Sequence, residues 1–237
     1  IDPLVDYACK QLLGSPDHPA LTIHFLNAIL GGSLQITDVQ ILNPIVEKAY
    51  ENDKYSILDV KARDAEGHRF NVEIQRSLVT ALRERLTYYA ATQLVEQLFS
   101  GDDYACLRPS IGICILDALI FPNIEELLLD FRLMNGKHGL TLTKHLQIYL
   151  LELPKYVEPS HNDIIRDPVE QWCHLFRFAE SLTANELARR LPDPVFLEAI
   201  GVLEMIARSR STQFVRISSQ GRARRPRKIG LCSPRIP

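Results

Sequence analysis

The sequence predicts a mixed α/β fold in the order α-β-β-β-α-β, followed by an added β-hairpin and a C-terminal group of helices. Three stretches carry that prediction. Ser56–Arg76 (SILDVKARDAEGHRFNVEIQR) alternates in polarity on both sides of a turn-prone Asp64-Ala65-Glu66-Gly67-His68, the pattern of a hairpin. Val79–Phe99 keeps a helical stripe of Leu82, Leu86, Tyr89, Ala90, Leu94, Val95 and Leu98. Ser110–Leu119 (SIGICILDAL) is a nearly continuous apolar run, as expected of a strand buried on both faces.

The elements follow in order. Asp2–Leu13 spaces its apolar residues as a helix and stops at Gly14-Ser15-Pro16-Asp17. Asp6 and Lys10 stand one turn apart on its polar side, the spacing of a surface ion pair. His18–Ile29 reads as a second helix closed by Gly31-Gly32, and Leu34–Leu42 as a strand ending at Asn43-Pro44. After the hairpin, the long helix carries Arg83 and Arg85 on its first half, and Arg85, Tyr88 and Gln93 read as plain surface. Leu127–Leu153 reads as an antiparallel hairpin around Asn135-Gly136. His138 and His145 lie in it and read as solvated or packed rather than as ligands. Helices are expected over Asp167–Ser181, Asn185–Arg190 and Pro194–Ala207. From Ser209 the chain loses its acids and its helical period. This tail reads either as a disordered basic arm or as the product of an altered reading frame. Residues 1–125, 126–207 and 208–237 are the expected divisions.

The first hairpin holds the chemistry. A mirror point at Glu66 pairs Lys61 with Asn71, Asp59 with Glu73 and Ile57 with Gln75. The opposite face carries Leu58, Val60, Ala62, Phe70, Val72 and Ile74. The apolar face is expected to cover a core and the polar face to look out. Two carboxylates directly opposite one another repel, their β-carbons being roughly 4.5–5.5 Å apart. Either water, Lys61 and Arg63 relieve that repulsion, or a cation stands between the acids. Hard oxygen ligands would select Mg²⁺ or Mn²⁺.

Composition bounds the function. With 46% hydrophobic and 24% charged residues the chain is globular. It has no apolar run of the ~20 residues a membrane span needs and no leader pattern. It begins at Ile1, so the N-terminus is expected to be incomplete. The five cysteines are scattered without a C-x-x-C, which argues for reduced thiols in the cytoplasm and against zinc. All 29 acids lie at or before Glu204, together with 18 of the 27 basic residues, so residues 1–207 carry −11 and the remainder +9. An acidic body does not bind DNA tightly through charge alone. It suits a local basic groove, or a site that needs metal to tolerate phosphate.

Taken together, IDPLVDYACKQLLG, LTIHFLNAIL, SILDVKARDAEGHRFNVEIQ and RLTYYAATQLVEQLFSGDDYACLRPSIGICIL resemble the Rpn family of recombination-promoting nucleases and transposases, within the PD-(D/E)xK nuclease superfamily. The likeness runs from Ile1 to about Ala207 and is most specific from Asp59 to Pro109. It implies a restriction-endonuclease-like α-β-β-β-α-β core, matching the order read from periodicity. It also implies that Asp59 is the metal-binding Asp and Glu73 the acid of the (D/E)xK step, with the Ile74 carbonyl as a further ligand. Gln75 stands where the superfamily usually has Lys. It can hydrogen-bond water or phosphate but brings no charge. Asp6 and Lys10 are accessory candidates. Arg85 and Tyr89 match residues typical of the long helix, and Cys9 departs from a common Phe.

The resemblance implies a Mg²⁺-dependent DNA endonuclease, with Mn²⁺ as a substitute, that leaves 5′-phosphate and 3′-hydroxyl ends. DNA is the expected partner, with a homodimer as a further expectation. The alternatives are a catalytically decayed mobile-element remnant, or a non-catalytic interaction protein whose C-terminal helices grip a partner.

Overall fold

The computed structural model describes residues 1–42, 60–161 and 163–222, apart from the side chains of Asp6 and of 210–222. Six α-helices surround one mixed six-stranded sheet among these residues. Helix α1 (Asp6–Leu13) ends at Gly14, and α2 (Pro19–Leu30) starts on Pro19 and closes at Gly31 in the left-handed conformation. The strand expected over Leu34–Leu42 shrinks to β1 (Gln40–Ile41). The cause is Asn27: its amide donates to the Ile36 carbonyl and accepts from the Ile36 N–H, both at 2.8 Å. Those bonds hold the segment against α2 instead of against a strand.

The hairpin forms from β2 (Val60–Arg63) and β3 (Arg69–Gln75). Its register pairs Lys61 with Asn71 and Val60 with Val72, as the mirror at Glu66 predicts. Asp64 builds the turn, its Oδ1 accepting from the N–H groups of Glu66 and His68 at 3.1 and 2.8 Å. Gly67 supplies a φ of 89° there. The expected pairs Asp59–Glu73 and Ile57–Gln75 include residues outside those described.

Strand β4 (Ser110–Leu116) lies parallel to β3 and is buried at every position. Parallel neighbours need a crossover, and α3 (Leu82–Val95) is in it. The polar face of the hairpin looks out as expected on β2, where Lys61 and Arg63 are exposed, but not on β3. The crossover packs α3 on β4 and β6 and brings Arg85 to Glu73, and Asn71 and Glu73 are buried. Helix α3 is also shorter than its apolar stripe suggested. Past Glu96 the Gln97 side chain clamps the Arg108 backbone, donating to its carbonyl and accepting from its N–H at 2.9 Å each. Tyr89 and Val95 are exposed, while Gln93 is buried.

The second hairpin, β5 (Leu128–Arg132) with β6 (Leu146–Glu152), is antiparallel as expected. Asn135 Oδ1 accepts from the N–H groups of Lys137 and His138 at its tip. Because β6 also pairs parallel with β4, the hairpin extends the one sheet, in the order β1-β2-β3-β4-β6-β5. Helices α4 (Pro168–Phe178), α5 (Ala184–Arg190) and α6 (Val195–Arg222) follow. The irregular arm expected from Ser209 is therefore helical as far as Arg222. No proline interrupts the chain before Pro226, so a helix already nucleated at Val195 can propagate.

The sheet has two unlike faces. On one, Phe70, Val72, Ile74, Ile111, Ile113, Ile115, Tyr149 and Leu151 merge with the helices into a core that runs from Leu4 to Ile206. Trp172 lies at its centre, edge-on to Phe25, stacked on Phe176 and donating to His24 Nδ1 at 2.9 Å. On the other face α3 closes a small cluster of Leu82, Leu86, Cys114, Leu116 and Leu150. No described helix is long and apolar enough to cross a membrane.

Candidate metal centre

On the face covered by α3, Glu73 stands in register with Cys114 of β4. Its side chain is 1% exposed, and Oε2 accepts a hydrogen bond from Arg85 Nη2 at 2.9 Å. A carboxylate so buried stays ionised only beside a cation. Arg85, in the first turn of α3, is that cation here. The plain-surface reading of Arg85 is thus corrected, and Gln93, on the same helix, is not surface either. It is buried near Ser110, whose Oγ donates to the Ala90 carbonyl at 2.7 Å and lies 3.3 Å from Gln93 Oε1. Tyr88 and Tyr89 remain exposed, their rings 5.9 Å apart.

One local feature bears on how Arg85 comes to lie over Glu73. Ala81, the residue before α3, has φ 58°, a left-handed conformation that costs a residue with a Cβ about 1–2 kcal/mol. That strained start fixes where the first turn begins. No sequence pattern announces it, because alanine is the residue least suggestive of a left-handed cap.

The other candidates fall as follows. Gln75, at the end of β3, is half-buried, and its carbonyl accepts from the Asp117 N–H at 2.9 Å on the β4 side. Successive carbonyls of a strand point to opposite edges, so that of Ile74 faces the β2 side. Arg76, one residue on, bridges Asp2 at 2.9 Å, which ties the chain entering α1 to the exit of β3. Asp6 is in the first turn of α1, but its side chain is not among those described. Lys10 is buried rather than on the helix surface; α1 packs against α2 and α6, and just past its end a Cβ at Gly14 would stand 3.0 Å from Val60 Cγ2. Asp59 lies outside the described residues.

Among the described residues no three His, Cys, Asp or Glu side chains converge as a cation site. The donors at the end of β3 are nonetheless all oxygen: the Glu73 carboxylate, the Ile74 carbonyl and Asn71 Oδ1. That last atom is buried without a hydrogen-bond partner among the described residues. Oxygen donors of this kind suit a hard divalent ion such as Mg²⁺ or Mn²⁺.

Residues 3–226 match the PD-(D/E)XK nuclease family transposases, and the chain belongs to that family. The match extends across the Ser209–Arg222 part of α6. No curated protein and no solved structure matches the chain. A nuclease-type activity, with DNA as substrate, is what the family carries.

Proposed function

We propose that the protein is a metal-dependent DNA endonuclease whose centre is Asp59, Glu73 and the Ile74 carbonyl, with Mg²⁺ as the working ion and Mn²⁺ as a substitute. The observation that carries this reading is the β2–β3 register. A continuation by one pair beyond Val60–Val72 would bring Asp59 opposite Glu73, as the sequence pattern expects. When bound, the ion would lower the pKa of a water and stabilise charge on the scissile phosphate. The chain's own residues then have separable tasks. Glu73 and Asp59 hold the negative charge that recruits the ion, and Gln75 orients the attacking water through its amide. Arg85 holds Glu73 in place at 2.9 Å and would offer its guanidinium to a DNA phosphate when Glu73 turns to an ion. Asp6 and Lys10 are accessory, and Tyr89 lies on the approach along α3. Residues 1–125 form the proposed catalytic part, 126–207 its extension, and the proposed place of action is the cytoplasm.

Purified protein with Mg²⁺ should nick or linearise plasmid DNA, and Asp59→Ala and Glu73→Ala should each reduce the rate by at least about 100-fold. Cleavage undiminished in both variants rejects this centre.

A second reading, a decayed copy that folds but does not cut, draws on the Glu73–Arg85 pair itself. With Gln75 in place of Lys, Arg85 is a cation already seated at the acid. The two readings separate by thermal shift. Mn²⁺ should raise the melting temperature of the wild type, do so more strongly in Arg85→Met, and have no effect in Glu73→Gln. No shift in either the wild type or Arg85→Met favours decay.

A further inference from the structure

β5 is the last strand of the sheet, and its outer edge has no strand beside it among the described residues. The Leu127 carbonyl accepts from Glu152 N–H, and the Leu133 carbonyl from Leu142 N–H. Odd-numbered residues of this strand therefore bond inward, toward β6 and the returning arm of the hairpin. The amides and carbonyls of Leu128, Asp130, Arg132 and Met134 point outward. An outward row of unpaired backbone groups is a template for another strand.

The side chains of this strand have a symmetry of their own. Leu128-Leu129-Asp130-Phe131-Arg132-Leu133-Met134 reads, in either direction from Phe131, as a charged residue followed by two apolar ones, with the charges opposite in sign. Set against a second copy running antiparallel with Phe131 on the two-fold axis, Asp130 meets Arg132, Leu129 meets Leu133 and Leu128 meets Met134. The outward-bonding residues pair with each other in that register, as an antiparallel ladder requires. Shifting the axis to Asp130 or to Arg132 would oppose like charges. Of these three registers, the central one satisfies both the ladder and the charges.

The apolar residues support the same partner. Phe131, Leu133, Leu140 and Leu142 are 40, 48, 66 and 78% exposed. The hydrogen bonds joining Leu133 to Leu142 and Asn135 to Leu140 put all four on one face of the ribbon. A strip of this kind along an open edge is covered in most native proteins. The described ends of the segment 43–59, Leu42 and Val60, are at the opposite edge of the sheet, beside β1 and β2.

We propose that β5 is a homodimerisation strand: two copies join antiparallel about Phe131, continuing the sheet across the interface, with Asp130 and Arg132 paired reciprocally. Inside one chain Arg132 already holds Asp130 at 2.8 Å and the Tyr149 hydroxyl at 2.7 Å. Both charged side chains are thus ordered on the face where the partner's charges would arrive.

The test is a charge swap on the full chain, read by sedimentation, with circular dichroism as the check on folding. The wild type should be a dimer. Asp130→Arg alone and Arg132→Asp alone should each weaken it by about tenfold or more, since one sets Arg against Arg and the other Asp against Asp. The double variant Asp130→Arg/Arg132→Asp should dimerise again. Mixing the two single variants should produce heterodimers, because each supplies what the other lacks. A role confined to the intrachain pair predicts no such complementation. Single variants that dimerise like the wild type, or folded single variants that do not complement, overturn the proposal. So does a monomeric wild type whose β5 outer amides exchange slowly, which would mean that residues 43–59 or 223–237 of the same chain cover the strand. None of these readouts depends on DNA cleavage, so the dimer and the nuclease centre stand or fall separately.

Discussion

The two faces of the sheet divide labour. Beneath the helical face, Ile, Leu, Val and aromatic side chains from all but one of the described helices interlock into one large cluster, and the buried Arg190 at its margin is paired with Glu158. Beneath α3 the apolar cluster is small, and beside it sit Glu73, Arg85, Asn71, Gln93 and Ser110. The contrast is physical. Apolar contact is non-directional and repays burial in proportion to area. Buried polar groups repay it only through specific partners. A chain that places both kinds back to back can hold an acid at a fixed place without trusting that place to hold the fold.

The largest effect should come from emptying the helical face. Trp172 is fully buried among Phe25, Phe176 and Phe196, with its indole N–H on His24. Trp172→Ala should cost about 3–5 kcal/mol in urea unfolding. Leu86→Ala, beneath α3, removes a side chain that keeps some solvent access and should cost distinctly less. Equal costs would break the comparison.

A smaller effect tests a buried imidazole in the helical region. His174 of α4 is buried beside Tyr156, and burial, reinforced by the charge of Arg190, pushes its pKa down from 6.5 to about 4. The unfolded chain thus takes up this proton at a higher pH than the folded one. Between about pH 6.5 and pH 4 it binds more protons unfolded, so stability falls as pH falls through that window and levels off below it. The loss should be on the order of 2–3 kcal/mol. Urea titrations at pH 7 and pH 4.5 should show it in the wild type, with a smaller difference in His174→Phe. An identical pH dependence in both proteins assigns the acid loss to other groups.

What could be read from the sequence follows the same division. The hairpin register, the fully buried strand at Ser110–Leu116 and the Asn-Gly turn were legible because period-two patterning and turn chemistry are local. Glu73 was legible as a candidate because two opposed acids in one ladder stand out. The family resemblance singled out Arg85 but not its contact with Glu73: twelve residues and a crossover separate the two, and no spacing on α3 says which arginine reaches the acid. The fate of the polar hairpin face was missed for the same reason. Whether a strand face looks out or lies under a helix depends on which strand comes next, and the parallel β3–β4 pairing decides that at a distance. The short β1 turned on a single Asn27 side chain, which no periodicity can foretell.

The smallest expected effect sharpens the comparison most, since it sets one glycine against another. At Gly14, on the helical face, a Cβ would stand 3.0 Å from both the Lys10 carbonyl oxygen and Val60 Cγ2. One of those atoms is backbone and cannot step aside. Gly14→Ala should therefore cost about 1–3 kcal/mol through overpacking. At Gly112, under α3, the nearest atoms to a new Cβ would be Ala90 Cβ at 3.7 Å and Ile148 Cγ1 at 3.8 Å, ordinary contact distances. Gly112→Ala should leave stability unchanged or raise it by about 0.4–1 kcal/mol, because the unfolded chain loses freedom while the folded one loses nothing. The same methyl tests how α3 is seated. If it settles into existing space, Arg85 stays over Glu73 and the Mn²⁺ thermal shift of the variant should equal that of the wild type. A Gly112→Ala cost as large as that of Gly14→Ala would mean that α3 is packed as tightly as the helices opposite, and the sheet would then have two structural faces rather than one structural and one chemical.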